Sequence, residues 1–252
     1  MTNTMTVLVT GASGNLGSAV LPRLVKEGYD VRPASRRARP GWVALDLATG
    51  EGVREAVRGV DAVVHLASSP TKTHDTDVEG TRRLVAEAKA AGVRHFVYIS
   101  IIGIDRVPLP YYKHKLAAEQ VVRDGGVPFT LLRAAQFPSL IDTLLTVSAK
   151  LGPLLIDKRL TFQPVAVEDV ADRIADVLAQ APAGGIVEVA GPRAETLDVL
   201  AREWLAARGS RRPVWPIRVP GRFGRELRAG ALTTTARPVG TRTWPDFLAA
   251  KY

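Results

Sequence analysis

The sequence predicts an α/β protein: a doubly wound parallel sheet followed by a small C-terminal lobe. Two observations predict it. Short β-branched runs alternate with amphipathic segments through the first half of the chain, and the runs are continuously apolar, as strands covered on both faces must be. The first run also ends in three glycines at every third position, "TGASGNLG". After about residue 135 the alternation fades.

Thr6–Thr10 is the first strand, and the segment from Ser18 onward is a helix with apolar residues at helical spacing. Tyr29–Ser35 reads as the second strand. "WVALDLATG" holds a short third strand ending at Asp46-Leu47, and "DAVVHLASS" holds the fourth, with a short helix, "GEGVREAVRG", between them. In "DVEGTRRLVAEAKAAG", Val78, Thr81, Leu84, Val85 and Ala88 share one helical face, and Gly92 stops the helix. "VRHFVYIS" is the fifth strand, "KLAAEQVVRDGG" a helix and "PFTLLRAA" the sixth strand. Further on, Leu140, Leu144 and Val147 are helically spaced within "FPSLIDTLLTVSAKLGPLLI". "EDVADRIADVLAQ" is a helix with Val170, Ile174, Val177 and Leu178 on one face, "GIVEVAG" is a strand, and "TLDVLAREWLAARG" is a helix capped by Thr196 and stopped by Gly209. The tail after it, rich in proline, glycine and arginine, is expected to be irregular.

At 252 residues and 46% hydrophobic, the chain has the size and composition of an ordinary globular protein with one good core. It has no cysteine, which excludes disulfides, thiolate metal sites and cysteine nucleophiles and fits a cytoplasmic setting. "MTNTMTVLVTG" lacks the basic-then-apolar pattern of a signal peptide, and no apolar run is long enough to cross a bilayer, so no membrane partner is expected. A net charge of +9 admits nucleic acid or an anionic small molecule as partner. The arginines, however, are scattered, with local concentrations at Arg36-Arg37-Arg39 and from Arg208 to Arg228, and form neither an aromatic-interleaved RNA motif nor a helix-turn-helix. No nucleic acid is expected. His65, His74, His95 and His114 show no metal-ligand spacing, so no metal is expected, and His65 and His95 read as structural. No serine has a nucleophile-elbow context.

Strand, glycine turn and helix, in that order, give the glycine spacing its meaning. Gly11, Gly14 and Gly17 permit a tight turn, a close backbone approach to a pyrophosphate, and close packing of helix on strand. The helix start offers free N–H groups and the positive end of its dipole to phosphates. Ser13 and Asn15 add side-chain donors, and Leu16 belongs to the same turn. The expectation is a Rossmann-type dinucleotide site beyond the carboxyl ends of the strands, where Ser35, Ala67 and Ser100 also fall. An acid at the end of the second strand would bind ribose hydroxyls and select NAD. The segment "PASRR" has none, and Arg36 or Arg37 can pair with a 2′-phosphate, so NADP(H) is the expected cofactor. Residues 1–135 are then the NADP(H)-binding core, and 136–252 complete it and form a substrate-side lobe, all in one compact unit.

"TGASGNLG", "LDLATGEGVREAVRGVDAVVHLASS", "DVEGTRRLVAEAKAAGVRHFVYISIIGID" and "YYKHKLAAEQVV" together resemble the extended and atypical short-chain dehydrogenase/reductases, nearest to their NmrA-like, NAD(P)H-binding branch. The resemblance covers roughly residues 5–200. It implies that Gly11, Gly14 and Gly17 bind the pyrophosphate and Arg36 the 2′-phosphate, that Asp46 and Leu47 lie by the adenine, and that Ala67 and Ser68 follow the middle of the cofactor. Many members place a tyrosine four residues before a lysine, as Tyr111 and Lys115 stand in "YYKHK". A tyrosine needs a nearby ammonium to lower its pKa before it exchanges protons at neutral pH, and Lys115 one helical turn on supplies it and also reaches the nicotinamide ribose.

Ser100 is a candidate for the serine that extended members carry after the fifth strand, although Ile102 occupies an alternative place for it. Asp77 stands where those members commonly have asparagine, and Tyr112 adjoins Tyr111. The expected activity is that of an NADPH-dependent reductase of a carbonyl or other polarised double bond in a small, apolar molecule. The alternatives are a non-catalytic NADP(H)-binding regulator and an epimerase or dehydratase that uses the cofactor transiently. The chain is expected to be a monomer or a homodimer. Phe137, Leu140, Ile141, Leu144 and Leu145 line a substrate pocket, belong to the core, or form a dimer surface.

Overall fold

A computed structural model of the chain describes residues 4–69, 74–150, 152–237 and 240–252. Met1-Thr2-Asn3 of the N-terminal stretch, Leu151 of the apolar segment and Pro238-Val239 of the tail lie outside the described residues. The strands are β1 (Thr6–Thr10), β2 (Asp30–Ser35), β3 (Val43–Ala44), β4 (Ala62–His65), β5 (His95–Ile101), β6 (Phe129–Ala134), β7 (Leu154–Ile156), β8 (Thr161–Phe162), β9 (Ile186–Val189), β10 (Glu195–Thr196) and β11 (Val214–Pro216). The helices are α1 (Asn15–Lys26), α2 (Val53–Val57), α3 (Gly80–Ala90), α4 (Pro110–Asp124), α5 (Pro138–Ala149), α6 (Val167–Leu178), α7 (Leu197–Ala207), α8 (Gly221–Arg228) and α9 (Trp244–Lys251), with a π-helical turn, His74–Glu79, leading into α3.

The central sheet has seven strands in the order β3-β2-β1-β4-β5-β6-β9. β1 runs parallel to both β2 and β4, β2 to β3, and β4 to β5. This is the Rossmann-type doubly wound fold, and its strand order reverses between β1 and β4, where such sheets open a crevice for a ligand. Two compact units divide the chain: Met1–Ser100, Pro110–Arg133 and Val170–Val187 form one, and Ile101–Leu109, Ala134–Asp169 and Glu188–Tyr252 the other.

The core of the first unit gathers Leu8, Val63, Leu84, Phe96, Val122 and Leu131, all essentially inaccessible to water. Each such side chain contributes about 1.5–3 kcal/mol relative to exposure. The face read in α3 is this core's lid, since Thr81, Leu84, Val85 and Ala88 are all buried. The expected helix from Asp77, however, begins as the π-helical turn, and the α-helix proper starts at Gly80. A Cβ at Gly80 would lie 2.7 Å from the Leu47 side chain, so the helix seats against the loop after β3 only because that position is bare.

In the second unit α5 settles the apolar stripe: Ile141 and Leu145 are buried, whereas Leu140, Leu144 and Val147 are 48%, 52% and 56% exposed. The tail is not irregular throughout, because it carries β11, α8 and α9. α9 opens with a capping box, the Thr243 side chain accepting from the Asp246 N–H while the Asp246 carboxylate accepts from the Thr243 N–H. Its end is tied to α5, where the buried Asp142 carboxylate accepts from Trp204 Nε1 (2.8 Å), Tyr252 Oη (2.6 Å) and Lys251 Nζ.

His65, fully buried at the end of β4, joins three elements. Its Nδ1 meets Thr10 Oγ1 at 2.7 Å and its Nε2 meets Thr81 Oγ1 at 3.0 Å. Thr81 Oγ1 donates to the Asp77 carbonyl (2.6 Å), so it accepts from His65 Nε2–H. Burial, with the charge of Lys115 adding to it, lowers the His65 pKa from 6.5 to about 3, so the ring is neutral and its Nδ1 accepts from Thr10. The folded protein then refuses a proton that the unfolded chain takes below 6.5, and stability present above that pH is lost as pH falls towards 3. At pH 5 the cost is about 2 kcal/mol. Urea denaturation at pH 7 and pH 5 should show this loss in the wild type and not in His65→Gln; equal losses in both would exclude His65 as the source.

Candidate functional site

The β1–α1 turn is built around missing Cβ atoms. Gly11 has φ +67°, and a Cβ there would stand 2.6 Å from the Ala67 backbone nitrogen. A Cβ at Gly17 would stand 2.5 Å from the Gly11 carbonyl oxygen. These two glycines close the turn against the end of β4 and against α1. Gly14 differs: its Cβ would meet only the Gly11 oxygen, at 3.2 Å, so its bare side opens outward. In the first turn of α1, the N–H groups of Asn15, Leu16 and Gly17 have no intrahelical acceptor, and no acidic side chain offsets the helix dipole there. Ser13 and Asn15 are exposed, whereas the Leu16 side chain is buried and offers only its backbone.

A cleft of about 240 Å³ runs along this turn, over the β1–β4 switch. It is an order of magnitude larger than the ~10–15 Å³ that one water needs. Gly11, Ser13 and Gly14 form its floor; Ser35 and Arg36 from the end of β2, Asp46 and Leu47 from the loop after β3, and Ala67 and Ser68 from the end of β4 form its walls. Ser69 and Thr76, which no sequence motif marks, line it too. The Ser35 hydroxyl donates to the Arg37 carbonyl (2.7 Å) and sets the turn that carries Arg36. Among the described residues Arg36 forms no ion pair and Asp46 is the only acid in the lining; Asp46 accepts from its own loop at Ala48 N (2.8 Å). Arg37, Asn15, Leu16, Gly17, Ser100 and Lys115 are not part of this lining. Bare backbone, unbonded N–H groups and an unpaired guanidinium fit the pyrophosphate and a further phosphate of a dinucleotide.

The helix bearing Tyr111 starts at Pro110, earlier than expected, which puts Tyr111 and Lys115 one turn apart on α4. Of the two neighbouring tyrosines, Tyr112 is buried, and Tyr111 is half-buried with its hydroxyl 2.9 Å from Ser68 Oγ in the cleft wall. Lys115 does not lower the Tyr111 pKa as expected. Burial raises it, the hydroxyl pair with Ser68 pulls the other way, and the negative charge of Asp77 adds to the rise. The Lys115 ammonium is buried; it donates to the Ile99 carbonyl (2.8 Å) and sits 4.1 Å over the Tyr98 ring. Burial brings its pKa down to about 8, against Asp77 and Glu119, which raise it. Ser100 is directed elsewhere. Its hydroxyl donates to Glu119 Oε1, and Arg133 grips the same carboxylate through Nε and Nη2 at 2.8 Å each. The structure thus brings Tyr111 to Ser68, and leaves Ser100 in a separate buried network.

A family profile described as NAD(P)H-binding matches residues 11–181. A (4-alkanoyl-5-oxo-2,5-dihydrofuran-3-yl)methyl phosphate reductase of Streptomyces griseus is 36% identical over 143 residues, 53% of this chain and 48% of that protein. The photosystem II assembly factor Ycf39 of Cyanophora paradoxa is 26% identical over 147 residues, 53% of this chain and 46% of that protein. The chain thus spans about half the length of the curated relatives it matches. An NADPH-dependent quinone oxidoreductase of Escherichia coli, solved with NADPH, shares the fold with a TM-score of 0.81 and 21% identity over 97% of this chain and 99% of that one. Among the described residues no helix is long and apolar enough to cross a membrane.

Gly14 and Gly17 should separate by substitution. Gly17→Ala forces backbone apart and should cost about 3 kcal/mol. Gly14→Ala should keep stability within about 1 kcal/mol, while weakening NADPH at least about tenfold in a fluorescence titration. Unchanged binding by Gly14→Ala would remove the turn from the nucleotide site.

Proposed function

The chain belongs to the NAD(P)H-binding family, and on that premise we propose that it is an NADPH-dependent reductase of a carbonyl or other polarised double bond in a small, apolar organic molecule. The observation that carries the reading is the cleft itself, which has the unpaired Arg36 and no acid at the end of β2, and the Tyr111–Ser68 hydroxyl pair at the end of β4. The N–H groups of the β1–α1 turn hold the pyrophosphate, Arg36 holds the 2′-phosphate with Arg37 beside it, Asp46 and Leu47 flank the adenine, and Ala67 and Ser68 lie along the middle of the cofactor. When bound, NADPH supplies the hydride. Tyr111 supplies the proton to the substrate oxygen: its phenol is protonated at neutral pH and its hydroxyl stands in the cleft wall, 2.9 Å from Ser68 Oγ. Ser68 fixes that hydroxyl, and Lys115 gives a buried positive charge on the same helix. The reductase of Streptomyces griseus and the fold shared with the quinone oxidoreductase agree with this class of chemistry.

A second reading is a protein that binds NADP(H) and signals without turnover. Ser100 committed to Glu119 and Lys115 bonded to the Ile99 carbonyl favour it, because neither is turned to Tyr111 by a hydrogen bond. NADPH oxidation followed at 340 nm (roughly the reduced nicotinamide band) against quinones, ketones and enals distinguishes them. The reductase oxidises NADPH with at least one acceptor class, and Tyr111→Phe lowers kcat about a hundredfold or more with NADPH affinity intact. Turnover unchanged in Tyr111→Phe would remove this side chain from the chemistry. Arg36→Ala with Arg37→Ala should weaken NADPH by about 2 kcal/mol or more and NADH by much less; equal losses would contradict the 2′-phosphate assignment.

A further inference from the structure

The second unit has a strongly basic stretch whose charge the nucleotide cleft does not explain. Between Arg208 and Arg228 the chain carries seven arginines and one acid, Glu226. Four of these arginines are committed within the fold. Arg208 covers the Trp204 and Tyr252 rings, and Arg212 donates to the Ala149 and Gly152 carbonyls at the end of α5. Arg225 lies beside Glu226, and Arg228 is bound to the buried Asp157. Arg211, Arg218 and Arg222 are exposed and form no ion pair among the described residues. Arg159, exposed and likewise without an ion pair among them, shares with Ile217 and Arg218 a groove of about 420 Å³. The acid of that groove, Asp157, adds no free charge: its carboxylate accepts from the Val219 and Arg159 N–H groups and from Arg228.

Among these cations, large apolar side chains stand in water. Trp215 is 57% exposed and Ile217 46%. Their spacing of two puts them on one face of the β11 ladder, which the Ile217 N–H extends to the Ile156 carbonyl (2.9 Å). Backbone pairing cannot cover them. β11 is paired with β7 alone, and at its outward edge Pro216 lacks the N–H that a further strand needs. A second copy of this surface is repelled by its own arginines. An acidic peptide meets the guanidiniums but offers the indole nothing apolar, whereas the interface of an anionic bilayer offers both. We propose that the β11 segment docks on an anionic lipid bilayer. Trp215 and Ile217 enter the interfacial layer, and Arg159 and Arg218 meet lipid phosphates, with Arg211 and Arg222 flanking them in the chain. Indole and aliphatic side chains favour that layer, and each guanidinium beside it adds attraction to the headgroups. The lack of a spanning run, which predicts no membrane partner, concerns insertion and not docking at the surface. The inference does not depend on the reductase reading.

The test is co-sedimentation of the full chain, at low salt, with vesicles of phosphatidylglycerol and phosphatidylcholine in equal parts and with vesicles of phosphatidylcholine alone. The wild type should bind the anionic vesicles at least about tenfold more strongly than the neutral ones. Trp215→Ser with Ile217→Ser should weaken that binding about tenfold or more, and so should Arg159→Glu with Arg218→Glu. All four side chains are exposed, so both variants should keep the wild-type circular dichroism and melting transition. Lys26→Glu with Arg58→Glu makes the same change of net charge at exposed positions of the first unit, and should leave binding within about threefold. No binding to the anionic vesicles overturns the proposal. Binding that survives Trp215→Ser with Ile217→Ser, or equal losses in the two charge variants, also overturns it, since either means adsorption by net charge alone. Tighter binding of poly-L-glutamate than of the anionic vesicles would overturn it in favour of an acidic protein partner.

Discussion

The carboxyl edge of the sheet depends on how closely the backbone at Gly11 approaches the backbone at Ala67. With no side chain at Gly11, β1 and β4 end side by side, and the chain from β1 turns into α1 without being pushed off the sheet. Gly17 repeats the device where α1 leaves the turn. The crevice of a doubly wound sheet then stays bare at its floor, where N–H groups and a helix dipole face outward. From beneath, the Ala67 N–H reaches Thr10 Oγ1, Thr10 donates to His65, and His65 donates to Thr81. A single neutral imidazole thus couples the floor of the cleft to the start of α3.

The buried charges near the cleft are arranged in two contrasting ways. Glu119 is fully occupied, with a bidentate arginine and a serine on its two oxygens, and such a satisfied network stiffens the junction of α4 with β5 and β6. Asp77 and Lys115 are not occupied in this way: one oxygen of the acid has no partner among the described residues, and the amine bonds a carbonyl and an aromatic face. Fold stability accounts for the first arrangement. The second spends stability next to the proposed proton donor, where incompletely satisfied groups gather at functional sites.

Much of this was legible in the sequence, for identifiable reasons. β1 carries its own signature, because a buried parallel strand must be apolar throughout and the glycines after it must lack Cβ atoms. The faces of α3 and α6 were readable because burial imposes helical spacing, and Val170, Ile174, Val177 and Leu178 are indeed buried. α8 and α9 were hidden by proline, glycine and arginine around them, although Thr243 and Asp246 carry a capping-box spacing that announces α9. The exposure of Leu140 and Leu144 beside the buried Ile141 and Leu145 could not be read, since all four are apolar and only packing tells them apart. Ser100 and Lys115 show the limit most clearly. Spacing put Lys115 one turn after Tyr111, but the acceptors that claim these two side chains, Glu119 and the Ile99 carbonyl, follow from tertiary packing.

The most direct test of the nucleotide assignment is calorimetric titration of the purified protein with NADPH and with NADH at low and moderate salt. The predicted result is tighter binding of NADPH by about tenfold or more, with the advantage shrinking as salt screens the phosphate–guanidinium contact at the exposed Arg36. Equal affinity for the two nucleotides at low salt, or a preference for NADH, would contradict the reading of the cleft.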